Sequence, residues 1–314
     1  MTANPQNNSS HSDDVSLYGL FSLFIKNWIT LGICGISFAA LAGLWAVQQP
    51  NIYTAEMVLM PAQKDEGGLS GVAGKLGGLA SLAGVGIGEG GNSNLTLAIE
   101  LLSSKAFISD FIEENNLLVP VMAAEGWDAK MNKLIINNNI YNEEEQKWVR
   151  KAKLPKKPKP SYQEAQIIFS KLLEVEQNPK SLFVNISLDY YSPLMAADWA
   201  TKLVKKVNEH IRQLDLKESN QSIEYLEKLI VESKVAELRN MFSNLMEEQI
   251  KSKMLASLRA DYVLKVVDPA VVPETKSKPM RSLIVVIAGF FGGIIGLIIV
   301  LYRAGRKSQQ LASH

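Results

Sequence analysis

Two long apolar stretches lie near opposite ends of the chain, and most of the polar residues lie between them. The stretches cover residues 28–47 and 283–302, and neither contains a charged residue. A helix rises about 1.5 Å per residue, so about 20 apolar residues cross a hydrocarbon core about 30 Å thick. The pattern predicts two transmembrane helices.

Two crossings place the tails, 1–27 and 303–314, on one side of a membrane and residues 48–282 on the other. Lysine and arginine flank both helices, and a segment this long translocates largely regardless of its charge. The charges therefore favour cytoplasmic tails only weakly. A cleaved signal peptide is rejected, because the first stretch begins late and is too long for the apolar part of such a peptide.

The middle segment combines strand and helix patterns. Strand formers fill 53–61, apolar and polar residues alternate over 182–189, and a further strand is predicted over 262–267. The first and last of these strands both adjoin a membrane helix, so they could pair in one sheet. The sequence thus predicts an α+β domain.

Three helices are expected in this domain. Asn94 is suited to cap a helix over about 95–115, and Ser161 with Glu164 forms a capping-box pattern before a helix that ends near Glu174. Helix signals resume after Ser192-Pro193 and continue without glycine or proline to Asp268, with a bend allowed near Leu214 and a long helix over about 215–259. Its apolar stripe is thin, so the helix is either solvated on one flank of the domain or packed against other copies of the chain.

Three segments have a biased composition. Residues 67–91 are glycine-rich, and residues 126–160 are predicted to form an irregular exposed loop that ends in a basic, proline-rich run at 150–160. That run is either a solvated loop or a contact for an anionic glycan. In the third segment, 268–282, Pro269, Pro273 and Pro279 predict an extended strut, since proline fixes φ and lacks an amide donor.

Small residues spaced four apart mark both membrane helices and let two helices approach closely. We expect helix packing at Gly35, Ala39, Gly43, Gly289, Gly292, Gly293 and Gly296.

Composition and motif spacing give little reason to expect chemistry. The net charge of +1 does not favour a nucleic-acid partner, and the single cysteine, Cys34, cannot form an intramolecular disulfide. The three histidines, His11, His210 and His314, have no metal or catalytic-triad spacing. Gly86, Gly88 and Gly91 fit G-x-G-x-x-G without the strand that a nucleotide site needs. No catalytic, cofactor or metal site is predicted, and an enzyme is not expected.

The chain resembles the polysaccharide co-polymerase family, whose members include the Wzz-type O-antigen chain-length determinants. The resemblance lies in YVLKVVDPAVVPETKSKPMRSLIVV (262–286), with its three prolines, and in NISLDYYSPLMAADWATKLVKKVNEHI (185–211) and SIEYLEKLIVESKVAELRNMF (222–242). Some members carry a cytoplasmic tyrosine kinase domain, but only residues 303–314 follow the second apolar stretch here. The resemblance is therefore to the type without a kinase.

The resemblance implies an inner-membrane, two-pass protein with both termini cytoplasmic and an α+β periplasmic domain that carries a long extended helix. It also implies a ring-like homo-oligomer that sets the length of lipopolysaccharide O-antigen, with a separate polysaccharide polymerase and a lipid-linked glycan as partners. The alternatives are a component of capsule or exopolysaccharide export, or a periplasmic adaptor of a secretion system, although the second membrane helix disfavours an adaptor.

Overall fold

The computed structural model describes residues 28–62, 90–259 and 261–312, with the backbone alone at 90–93 and 304–312. Its helices are α1 (Trp28–Gln48), α2 (Gly90–Ser103), α3 (Lys105–Glu114), α4 (Leu118–Ala123), α5 (Tyr162–Leu172), α6 (Pro193–Glu232), α7 (Ala236–Leu258) and α8 (Arg281–Ala312). Its strands are β1 (Tyr53–Pro61), β2 (Ala124–Asp128), β3 (Lys133–Ile136), β4 (Tyr141–Asn142), β5 (Lys147–Trp148), β6 (Leu173–Gln177), β7 (Val184–Tyr190) and β8 (Leu264–Asp268). The predicted tail 1–27 and nearly all of the glycine-rich segment 67–91 lie outside the described residues.

The chain divides into two compact units, Met1–Gln49 with Lys278–His314, and Pro50–Ser277. The first unit contains α1 and α8, and the stretches Trp28–Gln48 and Arg281–Arg303 in these helices are long and apolar enough to cross a membrane. Helix α8 is longer than the predicted span of 283–302. It begins at Arg281 and continues to Ala312, so the described part of the predicted tail is helical.

The second unit is built on an antiparallel sheet with the strand order β6-β7-β1-β8. Strand β1 pairs with β7 along its length and with β8 on its other side, which confirms the pairing predicted for the first and last strands. The alternation predicted in β7 is also confirmed, since Val184, Ile186 and Leu188 are buried. This sheet joins the two ends of the domain by hydrogen bonds.

Helices cover the sheet and complete one apolar core. Trp199 of α6 is fully buried, with its ring centroid 4.3 Å from that of Tyr190 in β7 and 5.9 Å from that of Phe169 in α5. Phe111 of α3 packs on Phe169 at 5.6 Å. Aromatic side chains thus link the sheet to α3, α5 and α6 in this core.

Two predicted helices differ from the structure at their ends. Residues 95–115 form α2 and α3 rather than one helix, because Ser104 adopts an extended backbone and its hydroxyl accepts a hydrogen bond from the amide of Phe107. Asn94 lies inside α2 and is not a cap. The capping box of Ser161 and Glu164 is confirmed, but α5 ends at Leu172 because the next residues pair with β7 as strand β6.

The predicted start of the helix at Pro193 is confirmed, and α6 passes through Leu214 without interruption. The predicted long helix of about 215–259 is instead divided, since α6 ends at Glu232 and α7 begins at Ala236. The predicted irregular segment 126–160 contains two small hairpins, β2–β3 and β4–β5, before the basic run.

Candidate functional site: the apolar helix pair and the helical hairpin

Helices α1 and α8 pack against each other through their small residues. A Cβ atom added to Gly292 would lie 2.8 Å from the Cβ of Phe38 and 2.9 Å from the carbonyl oxygen of Cys34, so any side chain there forces the helices apart. A Cβ at Gly296 would lie 3.1 Å from the Cβ of Cys34, and one at Gly35 would lie 3.3 Å from the carbonyl oxygen of Gly289. These glycines permit close backbone contact within one chain.

Of the remaining glycines in this pattern, two face the other helix and one faces open space. A Cβ at Gly289 would lie 3.7 Å from the Cβ of Ala39, and one at Gly43 would lie 3.6 Å from Val285. A Cβ at Gly293 meets no atom of the described residues within 4 Å. The Cβ direction at Gly293 is therefore open, although its backbone nitrogen lies 3.9 Å from a Cβ placed at Gly35 of α1.

Arg281 adds a polar contact to the helix pair that sequence reasoning missed. Its Nε donates to the carbonyl oxygen of Ala46 at 3.1 Å, and its Nη2 donates to that of Gln49 at 3.3 Å. A guanidinium at the C-terminal end of a helix satisfies carbonyls that lack an intrahelical partner and suits the negative end of the helix dipole. In the sequence, Arg281 is only one of the basic residues that flank the apolar stretches.

The proline-rich segment after β8 returns to the start of β1. The amide of Ser277 donates to the carbonyl oxygen of Ile52 at 2.8 Å, and the amide of Thr54 donates to the Ser277 hydroxyl at 3.2 Å. Pro269 and Pro273 precede this contact, and Pro279 follows it. The structure therefore ties one point of the predicted strut to β1, while the role of the prolines as a rigid spacer stays a prediction.

The second part of the candidate site is the helical hairpin, defined here as residues 213–232 of α6 together with α7. The two helices are antiparallel, since Lys253 and Ser257 of α7 line one groove with Gln213 and Glu224 of α6. Large apolar side chains of the hairpin are exposed on α7: Leu238, Met241, Leu245, Ile250, Met254 and Leu258. Ala256 is the buried residue of α7, so this helix has little core of its own.

The start of α6 holds the strand that leads out of the hairpin. Asn208 is buried; its Oδ1 accepts hydrogen bonds from the amides of Val263 and Leu264 at 3.0 and 2.8 Å, and its Nδ2 donates to the carbonyl oxygen of Leu264 at 2.8 Å. In addition, the Tyr262 hydroxyl donates a hydrogen bond to Asp215 at 2.5 Å. A polar residue in the apolar stripe of Leu203, Val207 and Ile211 was the sequence signal for this clamp.

The titratable groups with shifted pKa values serve structural contacts. Burial, then the hydrogen bond to Asp215, raises the pKa of Tyr262 above its usual range. Burial also raises the pKa of Tyr190, whose hydroxyl donates to the carbonyl oxygen of Pro120 at 2.8 Å. In the described ranges, no group of three or more histidine, cysteine, aspartate or glutamate residues could hold a metal ion. His210 packs its ring on Phe107 at 5.7 Å.

Comparisons with known proteins assign these parts to a family. The model described as "Chain length determinant protein" (Wzz) matches residues 13–115, and the model described as "G-rich domain on putative tyrosine kinase" (GNVR) matches residues 226–305. Together they cover more than half of the 314 residues. No curated protein matches the chain.

Solved structures of co-polymerases are similar to the chain at low TM-scores. A "full-length bacterial polysaccharide co-polymerase" has a TM-score of 0.38 and 12% identity, with 93% of this chain and 98% of that chain covered. A "Fragment of WzzB, Polysaccharide Co-polymerase from Salmonella Typhimurium" has a TM-score of 0.30 and 15% identity, with 73% and 100% covered. The assignment rests on the two family models, which show that the chain carries a Wzz chain length determinant domain and a GNVR domain.

Proposed function

We propose that this protein is a two-pass inner-membrane regulator that sets the length of lipopolysaccharide O-antigen made by a separate polymerase on a lipid carrier. The observation that carries the proposal is the match to the chain length determinant model, in a chain with an apolar helix near each end. In this proposal the protein is not an enzyme and needs no cofactor. It acts through contact with the polymerase and the lipid-linked glycan.

The proposed orientation places both termini in the cytoplasm and Pro50–Ser277 in the periplasm. Helices α1 and α8 support two crossings, because each has the length and apolar composition that a bilayer requires. The resemblance to co-polymerases supports the choice of side. A reporter that is active only in the periplasm should therefore work when inserted between Lys130 and Met131, and not when fused to His314.

The proposed assembly is a ring-like homo-oligomer. The exposed apolar residues of α7 support it, because a long helix with little core of its own gains stability from packing on a neighbour. The membrane helices offer a second surface at Gly293, where an added Cβ would meet no described atom of the same chain within 4 Å. Both surfaces belong to each copy, so repeated contacts can close a ring.

Deletion of the gene tests the function. Lipopolysaccharide from the deletion strain, separated on a gel, should change from a clustered ladder to an unregulated one, and the wild-type gene on a plasmid should restore the cluster. If the ladder is unchanged and the length of a capsule or exopolysaccharide is altered instead, the regulated glycan is that polysaccharide and not O-antigen. No change in any surface polysaccharide would refute a role in chain length.

Leucine substitutions in α8 test the assembly. Gly293→Leu should lower the oligomer mass measured by light scattering in detergent and leave the α1–α8 contact intact. Gly289→Leu should also lower the oligomer mass, but this leucine would press on Ala39 of the same chain as well. A monodisperse monomer of the wild-type protein would contradict the ring.

A further inference from the structure

The basic run at residues 150–160, called the cationic loop here, is a charged surface that the proposed function does not use. It carries exposed lysines at 151, 153, 156, 157 and 159 and no acidic residue. It ends at Pro160, which is buried. The loop therefore concentrates positive charge at one exposed place in a chain whose net charge is only +1.

Arg150 holds this loop in a defined shape. Its Nε donates to the carbonyl oxygen of Pro158 at 2.8 Å, and its Nη2 donates to that of Lys157 at 2.9 Å. Glu164 of α5 accepts from the same guanidinium at 3.0 and 3.1 Å. The side chains of Arg150 and Glu164 are only 17% and 16% exposed. The guanidinium of Arg150, the first residue of the loop, thus connects the start of the loop to the backbone near its end.

A turn supplies a second constraint. The amide of Lys156 donates to the carbonyl oxygen of Lys153 at 3.0 Å, which closes the tip of the loop around Leu154 and Pro155. Lysines 151 and 153 lie before the turn, and lysines 156, 157 and 159 lie after it. The sequence left open whether this run is a solvated loop or a contact for an anionic glycan, and the structure presents the lysines on a closed loop.

Most of this charge is left unneutralised within the chain. Lys156 lies 3.5 Å from Glu164, which already binds Arg150. Across residues 28–62, 90–259 and 261–312, no ion pair engages Lys151, Lys153, Lys157 or Lys159. Adjacent ammonium groups repel one another, and an external anion relieves that repulsion.

We infer that the cationic loop binds an acidic polysaccharide, a polymer that repeats carboxylate or phosphate groups along its length. Lysine ammonium groups act as mobile point charges and do not require the fixed geometry that arginine offers to one phosphate. Charges on both sides of a turn suit a ligand that carries several anionic groups. The choice of a polysaccharide among polyanions rests on the proposed function.

The binding test uses the full-length protein in detergent and fluorescently labelled oligogalacturonate. We expect binding that weakens when the salt is raised from about 50 mM to about 500 mM, because salt screens exposed charges. Inorganic polyphosphate in a second arm distinguishes phosphate from carboxylate ligands, and neutral dextran in a third arm should not bind. Equal binding of dextran would overturn the inference.

A matched pair of variants locates the site. Replacing Lys151, Lys153, Lys157 and Lys159 together by glutamine should weaken oligogalacturonate binding by about 10-fold or more. The control replaces four exposed lysines elsewhere by glutamine, at positions 130, 180, 251 and 265. The two variants have the same net charge, so an equal loss in both would mean that overall charge, and not the loop, binds the polymer.

Arg150→Gln tests the shape of the loop, because it keeps every lysine. We expect affinity to fall by about 3-fold to 10-fold as the loop loses order, since a preorganised site spends less binding energy on ordering. A melting curve of each variant confirms that the domain is folded. Unchanged affinity in folded Arg150→Gln would overturn the claim that this residue organises the site.

An anionic lipid surface is the competing occupant, because Leu154 at the loop tip is 94% exposed. Binding to phosphatidylglycerol vesicles without binding to either soluble polyanion would overturn the inference. Complementation of the deletion strain separates this inference from the proposed function. Wild-type protein that restores the ladder and binds no polyanion refutes the loop alone, whereas protein that binds and does not restore any ladder refutes the function alone.

Discussion

Helix α6 is continuous, yet its first part is buried in the domain core and its second part is largely exposed. Its base segment, residues 193–211, is packed into the core by residues such as Trp199, Leu203 and Ile211. Beyond Asp215 the same helix becomes part of the helical hairpin, where Ser219 is buried and Tyr225 is 63% exposed. One continuous helix thus serves as a core element at one end and as a surface element at the other.

The difference teaches which interactions support each end. The base segment has an apolar face spaced as a helix requires, so burial against the sheet stabilises it. The hairpin instead shows an exposed i,i+4 ion pair of Glu224 with Lys228 at 2.9 Å, which contributes little. We therefore expect substitutions in the base to change the stability of the subunit, and substitutions in the hairpin to change its contacts with other copies.

The largest expected effect is that of Trp199→Ala in the base segment. Removing this ring from beside Tyr190 and Phe169 leaves a cavity and should lower the free energy of unfolding by about 3–5 kcal/mol. Chemical denaturation of the full chain in detergent, followed by circular dichroism, measures the loss. Leu245→Ala in α7, which is 42% exposed, is the control and should cost less than about 1 kcal/mol. Equal losses would erase the contrast between the two ends.

Asn208→Leu is the next largest. The substitution keeps the size of the side chain but leaves the amides of Val263 and Leu264 without their acceptor, which should cost about 2–3 kcal/mol in the same assay. Asn220→Leu makes the same chemical change on the exposed part of α6 and should change the free energy by about 0.5 kcal/mol or less. An unchanged free energy of unfolding in Asn208→Leu would show that the hydrogen bonds between Asn208 and the start of β8 do not stabilise the domain.

Tyr262→Phe tests the Asp215 contact at the boundary between the two ends. Loss of one hydroxyl should cost about 1 kcal/mol and lower the melting temperature by a few degrees. The pKa of Tyr262 is raised, so its contribution is present below the ordinary tyrosine pKa of about 10 and is lost as the pH rises further. Tyr225→Phe in the hairpin should alter neither the melting temperature nor its alkaline dependence.

The smallest effect compares two acidic residues under acid conditions. Arg150, by a hydrogen bond, lowers the pKa of Glu164, and Lys228 likewise lowers the pKa of Glu224, each from an ordinary value of 4.5. A carboxyl group whose pKa is lower in the folded than in the unfolded state stabilises the fold at a pH above the unfolded pKa. This stabilisation is lost as the pH falls below about 4.5. Glu164→Gln should flatten this part of the stability curve by at most about 1 kcal/mol. Glu224→Gln, which removes an exposed pair, should leave the curve as it is in the wild type.

Local signals predicted much of the fold because they depend on neighbours in sequence. The apolar stretches, the strand at 53–61 and the capping box at Ser161 require only residue type and spacing, and the structure has all three. Strand β6 was missed because LEVEQ continues the pattern of the helix before it, and only pairing with β7 makes it a strand. The break at residues 233–235 has no glycine or proline to announce it.

The candidate site also has features that residue spacing predicted and features that only the structure shows. The small residues of both apolar helices were identified from their spacing, but only their placement separates Gly292, which faces Phe38, from Gly293, which faces no described atom within 4 Å. Asn208 and Arg281 were not singled out, because their partners lie 55 or more residues away in the chain. The spacing of residues along a helix gives its faces, and it does not tell which face meets which neighbour.

By itself the sequence determined that this chain has two apolar helices around an α+β domain, and its family, because these follow from hydropathy and from residues in order. The tertiary structure decided that α6 is core at one end and surface at the other, that Asn208 holds β8, and that Arg150 closes the cationic loop. Burial and hydrogen bonds between distant residues depend on how elements meet in space, and periodicity along one element does not specify that meeting.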